Sequence, residues 1–231
     1  MNSINKTARM AGFLYLLMTP LSILGIIYIP TLIVSGDPVA TVNHIMTHEL
    51  LFRLSMVSAL LVQIVQIIVA LLLYKILKPV NKDRAVLMVI FILVAVPIAM
   101  LNEVNNFAAL LLAGGAGSLP GFSADQIQAL VPMFLEFHKY GINIASIFWG
   151  LWLLPMGYLV FKSGYIPKFL GLLLIVIGLG YLIDFVTFSL FPNFHFMVGT
   201  FTGFLEILLP LWLLIKGVNV ERWEKRALGS A

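Results

Sequence analysis

The sequence predicts an all-α, polytopic membrane protein: a bundle of six transmembrane helices with a short amphipathic helix in the first external loop. Three observations lead there. Of the 231 residues, 61% are hydrophobic and only 10% are charged, against about 25% charged in an ordinary soluble domain. The charges leave long uninterrupted gaps, between Arg9 and Asp37, Arg53 and Lys75, Arg84 and Glu103, and Lys139 and Lys162. These runs are apolar throughout and do not alternate as barrel strands would. A soluble enzyme, a nucleic-acid binder and a disordered chain are excluded together, because none could be built with so few ionisable groups.

A spanning helix needs about 20 apolar residues to cross about 30 Å of hydrocarbon. The gaps place such helices near residues 10–34, 52–77, 85–112 and 132–161. The stretch from Lys168 to Lys216 is too long for one span, and Phe191-Pro192-Asn193-Phe194 divides it into helices near 168–190 and 197–216. The whole chain, residues 1–231, reads as a single transmembrane domain. The first apolar run exceeds the length of a signal-peptide core and lacks a small-residue cleavage site, so it reads as an uncleaved anchor.

Two segments outside these spans carry helix signals. Asp37-Pro38 offers a capping carboxylate before a proline at the first helical position. Val39, Val42, Ile45, Met46 and Leu50 then recur at helical spacing. Ser123 with Gln126 forms a capping-box pattern, opening a helix that runs through Pro132 into the fourth span. A Gly-rich connection from Gly114 to Gly121 precedes it. Pro20, Pro97, Pro155 and Pro210 lie inside spans and should kink them.

Orientation follows from Lys and Arg. Twelve of the 14 fall on one side, and only Arg53 and Lys139 on the other. Both termini are therefore expected in the cytoplasm of a multi-pass inner (plasma) membrane protein. The basic balance then reflects attraction to anionic lipid, so the lipid bilayer is the expected partner and nucleic acid is not.

Ionisable groups inside hydrocarbon are costly and face the protein interior. The third span carries Asn102, Glu103, Asn105 and Asn106 on one broad face, the fifth carries Asp184 and the sixth Glu206. Glu206 shares a face with Gly199 and Gly203, a spacing that allows close helix approach. Counting about 1.5 Å per residue puts Glu206, Gln63 and Gln66 near mid-membrane, with Glu103 and Asp184 roughly 7–10 Å further out. Arg53, Lys139 and His138 are the available counter-charges in that outer half. Each acid must be paired, protonated or bound to a cation.

Motifs for known chemistry are absent. There is no nucleophile elbow, phosphate-cradling loop, dinucleotide fingerprint or zinc-protease helix. No cysteine is present, which excludes disulfides, iron–sulfur ligation and thiol catalysis. His44 and His48 are four apart and could ligate a metal with His138, His195 or Glu49. Two histidines on a solvated helix face more commonly bind nothing, so no metal is assigned, and the sequence identifies no cofactor.

Several stretches resemble a bacterial integral-membrane family labelled domain of unknown function 4386. They are Leu51-Phe52-Arg53-Leu54, Leu71-Leu72-Leu73-Tyr74, Leu77-Lys78-Pro79-Val80-Asn81, and Asn102 with Asn106 before Phe107-Ala108-Ala109-Leu110-Leu111-Leu112. Further on come Phe137-His138-Lys139-Tyr140-Gly141, Gly157-Tyr158-Leu159-Val160, Ser163-Gly164-Tyr165-Ile166-Pro167 and Gly180-Tyr181-Leu182-Ile183-Asp184. The resemblance implies a bacterial, multi-pass helical protein and carries no established activity. Arg53, His138, Asp184 and the Asn pair lie on the resembling stretches, whereas His44 and His48 do not.

Three functional classes stay open. The leading expectation is a protein that binds or moves a small amphiphile, lipid head group or cation at a polar cavity in the outer half, using Arg53, Asn102, Glu103, Asn106, His138, Asp184 and Glu206. The second is a membrane-embedded enzyme, with or without a metal's assistance, in which His138 and a carboxylate form an acid–base pair. The third is a structural or regulatory membrane subunit whose polar stripes only pack helices.

Overall fold

The computed structural model describes residues 3–115, 121–191, 198 and 203–229. Helix α1 (Ser3–Ser22) contains Pro20. The proline cannot donate to the preceding turn, and the chain beyond it leaves α geometry. A π-helical turn (Ile23–Ile27) and a 3₁₀ turn with Pro30 in its first turn (Ile29–Leu32) follow. The expected first span at 10–34 is thus a helix from Ser3 with a distorted second part, not a uniform rod.

The expected short helix is α2 (Pro38–Thr47), capped by Asp37, whose carboxylate accepts from the Ala40 amide at 2.8 Å. Helix α3 (Glu49–Leu77) opens with Glu49 and closes with Lys75, charges that complement the helix dipole. Helix α4 (Lys82–Ala113) starts after Asn81, which accepts from the Arg84 amide at 2.9 Å. Helix α5 (Ala124–Ser163) opens on the predicted capping box: Gln126 accepts from the Ser123 amide at 2.8 Å, and Ser123 accepts in return from the Gln126 amide at 3.3 Å. Helix α6 (Lys168–Leu190) comes next, then a 3₁₀ turn (Phe204–Ile207), α7 (Leu208–Ile215) and α8 (Val220–Leu228).

Among the described residues, five segments are long and apolar enough to cross a membrane: Ser3–Leu32, Glu49–Leu77, Lys82–Ala113, Ala124–Ser163 and Lys168–Leu190. Phe204–Ile215 is a shorter apolar helix, and the first part of the expected sixth span, with Gly199, lies outside the described residues. The expected turn at 192–194, most of the Gly-rich connection and His195 lie outside them too. No strand occurs among the described residues. Along α4, Leu87, Ile90, Leu93, Leu101, Val104 and Leu111 are exposed at helical spacing, the apolar outer surface that lipid would cover.

Two compact units are distinguished. The first comprises Met1–Thr19, Ile64–Val96 and Asn143–Ala231, the second Pro20–Gln63 and Pro97–Ile142. The second is held by an apolar core in which Ile45, Phe52, Ala109 and Val131 are fully buried. In the first, α5 and α6 approach backbone to backbone. A Cβ built at Gly157 would lie 2.6 Å from the Gly171 carbonyl oxygen, and one at Gly150 would lie 2.8 Å from that of Gly178. Only glycine permits this contact, and the two pairs sit seven residues apart on each helix, two turns of one antiparallel seam.

The end of α3 in the first unit is closed by side chains. The Ile76 carbonyl accepts from the Tyr165 hydroxyl at 2.7 Å and from Trp223 Nε1 at 2.9 Å, partners for an oxygen that the helix itself leaves unpaired. Burial pushes the Tyr165 hydroxyl well above the usual phenol range, against the opposing pull of Arg226, so it remains a donor.

Candidate functional site

The second unit contains a buried polar cluster built between α4 and α5. Glu103 and His138 face each other, with His138 Nε2 2.8 Å from Glu103 Oε1 and side-chain exposures of only 10% and 4%. The other carboxylate oxygen accepts from Asn106 Nδ2 at 2.9 Å. A buried carboxylate is tolerable only with such partners. Asn102 Nδ2 donates to the His138 carbonyl at 2.8 Å, which fixes the segment of α5 that carries the imidazole. Gly141 makes this crossing possible: a Cβ there would collide with the Asn102 amide. Asn105 Nδ2 in turn donates to Asn102 Oδ1 at 3.0 Å, so Asn102 is itself held.

One atom in this cluster is unsatisfied. Asn106 Oδ1 is buried without a hydrogen-bond partner, and such an acceptor costs about 1–3 kcal/mol. Gln63 Oε1, buried in α3, is in the same condition. An unpaired acceptor beside a carboxylate, as at Asn106, suits a ligand that brings donors or positive charge.

The first unit holds a separate group. Glu206, on the 3₁₀ turn, accepts a hydrogen bond from the Tyr15 hydroxyl of α1. The Tyr15 ring packs against Trp152 with centroids 5.9 Å apart. Asp184 Oδ1 accepts from the Val198 amide at 2.6 Å. Gly203, the described member of the expected glycine pair, leaves only ordinary contact to the Tyr181 hydroxyl, 3.5 Å from a Cβ built there.

The seven residues singled out from the sequence therefore divide. Asn102, Glu103, Asn106 and His138 come together in one hydrogen-bonded cluster. Arg53 instead pairs with Glu49 one helical turn away, at 2.6 Å, with its side chain 56% exposed; the local i, i+4 geometry wins. His138 takes Glu103 as its carboxylate, and Asp184 accepts from the Val198 backbone amide. His48 Nδ1 lies 3.0 Å from the His44 carbonyl, so this ring serves the helix end. No group of three or more metal-ligating side chains occurs among the described residues.

The family described as Domain of unknown function (DUF4386) matches residues 10–217. The chain belongs to that family. An uncharacterized protein of Archaeoglobus fulgidus is 31% identical to this DUF4386 member over 165 residues, 71% of this chain and 83% of the relative. No solved structure matches the chain.

Sequence reasoning missed Tyr15 in this DUF4386 protein. The signal was present: Ala8, Ala11, Gly12, Tyr15 and Met18 form the buried stripe of α1. A tyrosine on a stripe of small residues needs a polar partner for its hydroxyl. The sequence could not show that this partner lies 191 positions away.

Proposed function

We propose that this protein is a binding or transport-like membrane protein of a bacterial inner membrane, whose ligand brings a cationic group to Glu103 in the outer half of six spans. The ligand classes are a cation, a small cationic amphiphile or a lipid head group. The observation that carries the reading is the Glu103–His138–Asn106 cluster, a buried carboxylate beside the unpartnered acceptor Asn106 Oδ1. A structural pair would have every polar atom satisfied; this one has acceptor capacity left over.

Six spans and a shared cytoplasmic side for both termini belong to the same reading. The Val218 amide donates to Asn5 Oδ1 at 3.2 Å, which supports an even number of crossings. The Lys and Arg distribution supports the direction.

The test is ligand binding to the full chain in lipid nanodiscs, followed by tryptophan fluorescence. Tetraalkylammonium ions and alkali cations serve as probes. Saturable binding that Glu103→Gln weakens by roughly tenfold or more is expected, the loss of one charge-assisted contact. Binding unchanged in Glu103→Gln, or none in the parent protein, would overturn the reading. A second reading, a membrane-embedded enzyme, is favoured by the 2.8 Å His138–Glu103 contact, the geometry of an acid–base pair. It predicts turnover of an amphiphile that His138→Gln abolishes while leaving probe binding intact.

A further inference from the structure

Glu103 brings a negative charge into the interior of the second unit, and the pair it forms has two charge states. An ionised carboxylate only accepts, so the 2.8 Å contact requires a proton on His138 Nε2. That proton is present in one tautomer of the neutral imidazole and also in the imidazolium. The contact therefore survives when Nδ1 gains or loses a proton of its own. With neutral His138 the pair is negatively charged; with the imidazolium it is neutral.

Within the cluster of Asn102, Glu103, Asn105, Asn106 and His138, His138 is the one side chain that can turn positive. The second oxygen of Glu103 is met by the Asn106 amide at 2.9 Å, a neutral donor. Charges on the neighbouring elements of this unit are matched locally. On α3, Arg53 pairs with Glu49, and on α5, Lys139 pairs with Glu136 at exposed positions. On α2, His44 and His48 are exposed, and Asp37 caps the helix. Glu103 is the one titratable side chain that α4 contributes to the unit. A buried carboxylate with no positive partner is strongly disfavoured, so one positive charge must accompany Glu103. A proton on His138 Nδ1 supplies it, and a bound cation would supply it equally.

We infer that the Glu103–His138 pair is a proton–cation exchange site: a cation arriving at Glu103 and the proton on His138 Nδ1 compete for the same negative charge, and binding of one releases the other. The inference rests on the cation reading of Glu103 and gives His138 its part in it, as the positioning residue whose protonation closes the site. The only bond broken is N–H: the imidazolium passes its Nδ1 proton to solvent as the cation arrives, and Nε2–H stays on Glu103. The coupling is reciprocal, so acid weakens cation binding by the factor by which the cation drives off the proton. Imidazole is the side chain that ordinarily changes charge between about pH 5 and 8, which sets the two conditions to compare.

The full chain in nanodiscs of phosphatidylcholine is titrated with tetramethylammonium at constant ionic strength, with tryptophan fluorescence as the readout, at pH 5 and at pH 8. The dissociation constant should be roughly tenfold larger at pH 5, within the ordinary range of coupling between linked sites. His138→Gln still offers a donor to Glu103 and takes up no proton, so it should lose most of that pH dependence. A second measurement needs no substitution at His138. In protein labelled with ¹⁵N-histidine, saturating tetramethylammonium between pH 5 and pH 8 should move the His138 imidazole signals toward the neutral form. Those of the exposed His44 and His48 should stay in place. The chain has four histidines, and His44→Gln, His48→Gln and His195→Gln assign three signals and leave the fourth to His138.

No saturable binding at either pH would sink the cation reading of Glu103 and the exchange with it. Saturable binding of equal strength at pH 5 and pH 8, or His138 signals that the cation does not move, would overturn the exchange and leave the cation reading standing. A pH dependence that His138→Gln retains in full would also overturn it, by placing the competing proton on another group.

Discussion

At the scale of the residue, the decisive groups are those whose partners lie on another helix. Removing His138 leaves the buried Glu103 carboxylate with Asn106 alone. His138→Ala should therefore cost about 3–5 kcal/mol of stability, the penalty of uncovering one member of a buried pair. Glu103→Leu combined with His138→Leu should cost much less than the sum of the single changes. Thermal unfolding in mild detergent reads this cycle, and additive effects within about 0.5 kcal/mol would show that the two groups are uncoupled. Tyr165 makes a different prediction. Its hydroxyl is held above the usual range by burial, so its stabilisation is complete below the unfolded value of about 10 and is lost as pH rises past it. The melting temperature should fall more steeply above about pH 10 in the parent than in Tyr165→Phe; parallel curves would contradict the assignment. Both groups show what a linear sequence conveys at this scale. Glu103 and His138 announce themselves as ionisable residues in apolar runs. Their pairing depends on how α4 and α5 are rotated about their axes, which periodicity does not specify, and Arg53 satisfies itself locally at Glu49.

At the scale of the element, local rules carried most of the information. The Asp37 cap and the Ser123–Gln126 box form as their spacing demands, because each joins residues within a single turn. Ser123→Ala should lower stability by about 1 kcal/mol, the usual worth of an N-cap, measured by thermal unfolding. The π-helical turn after Pro20 was not legible, since a proline fixes where a helix is disturbed and not the geometry that follows. The α5–α6 seam was equally hidden: Gly150, Gly157, Gly171 and Gly178 read as scattered small residues until two helices bring them face to face. This seam reverses the ordinary preference for alanine. In a helix, Gly→Ala gains about 1 kcal/mol. At Gly157 the new Cβ would meet the Gly171 carbonyl oxygen at 2.6 Å, and backbone cannot swing aside as a side chain would. Gly157→Ala should destabilise by about 1–3 kcal/mol. Gly114→Ala, whose nearest neighbour would be 3.4 Å away, should be close to neutral under the same measurement.

At the scale of the whole molecule, the open quantity is the parity of crossings. Among the described residues, five segments have the length and hydropathy to span. If only these crossed, Lys216, Arg222, Lys225 and Arg226 would join Arg53 and Lys139 opposite the other eight basic residues, against the rule that Lys and Arg gather on the cytoplasmic side. The contacts of the C-terminal segment favour a sixth crossing. Within the first unit Val218 bonds to Asn5, Trp223 to Ile76 and Arg222 to Gly164, so residues after α7 meet the start of α1, the end of α3 and the α5–α6 turn. In the proposed six-span topology these three places share a side, because the chain returns once more after α6. Phe204–Ile215 is short for that return, and most of the residues between α6 and Phe204 lie outside the described ones. The absence of cysteine makes the test direct. Single substitutions Ser3→Cys, Ser123→Cys and Ala227→Cys give one thiol each, and a membrane-impermeant maleimide is added to intact cells. With six crossings only Ser123→Cys is labelled, while Ser3→Cys and Ala227→Cys react after the membrane is opened. With five, Ala227→Cys is labelled together with Ser123→Cys in intact cells, and the proposed topology would have to be abandoned.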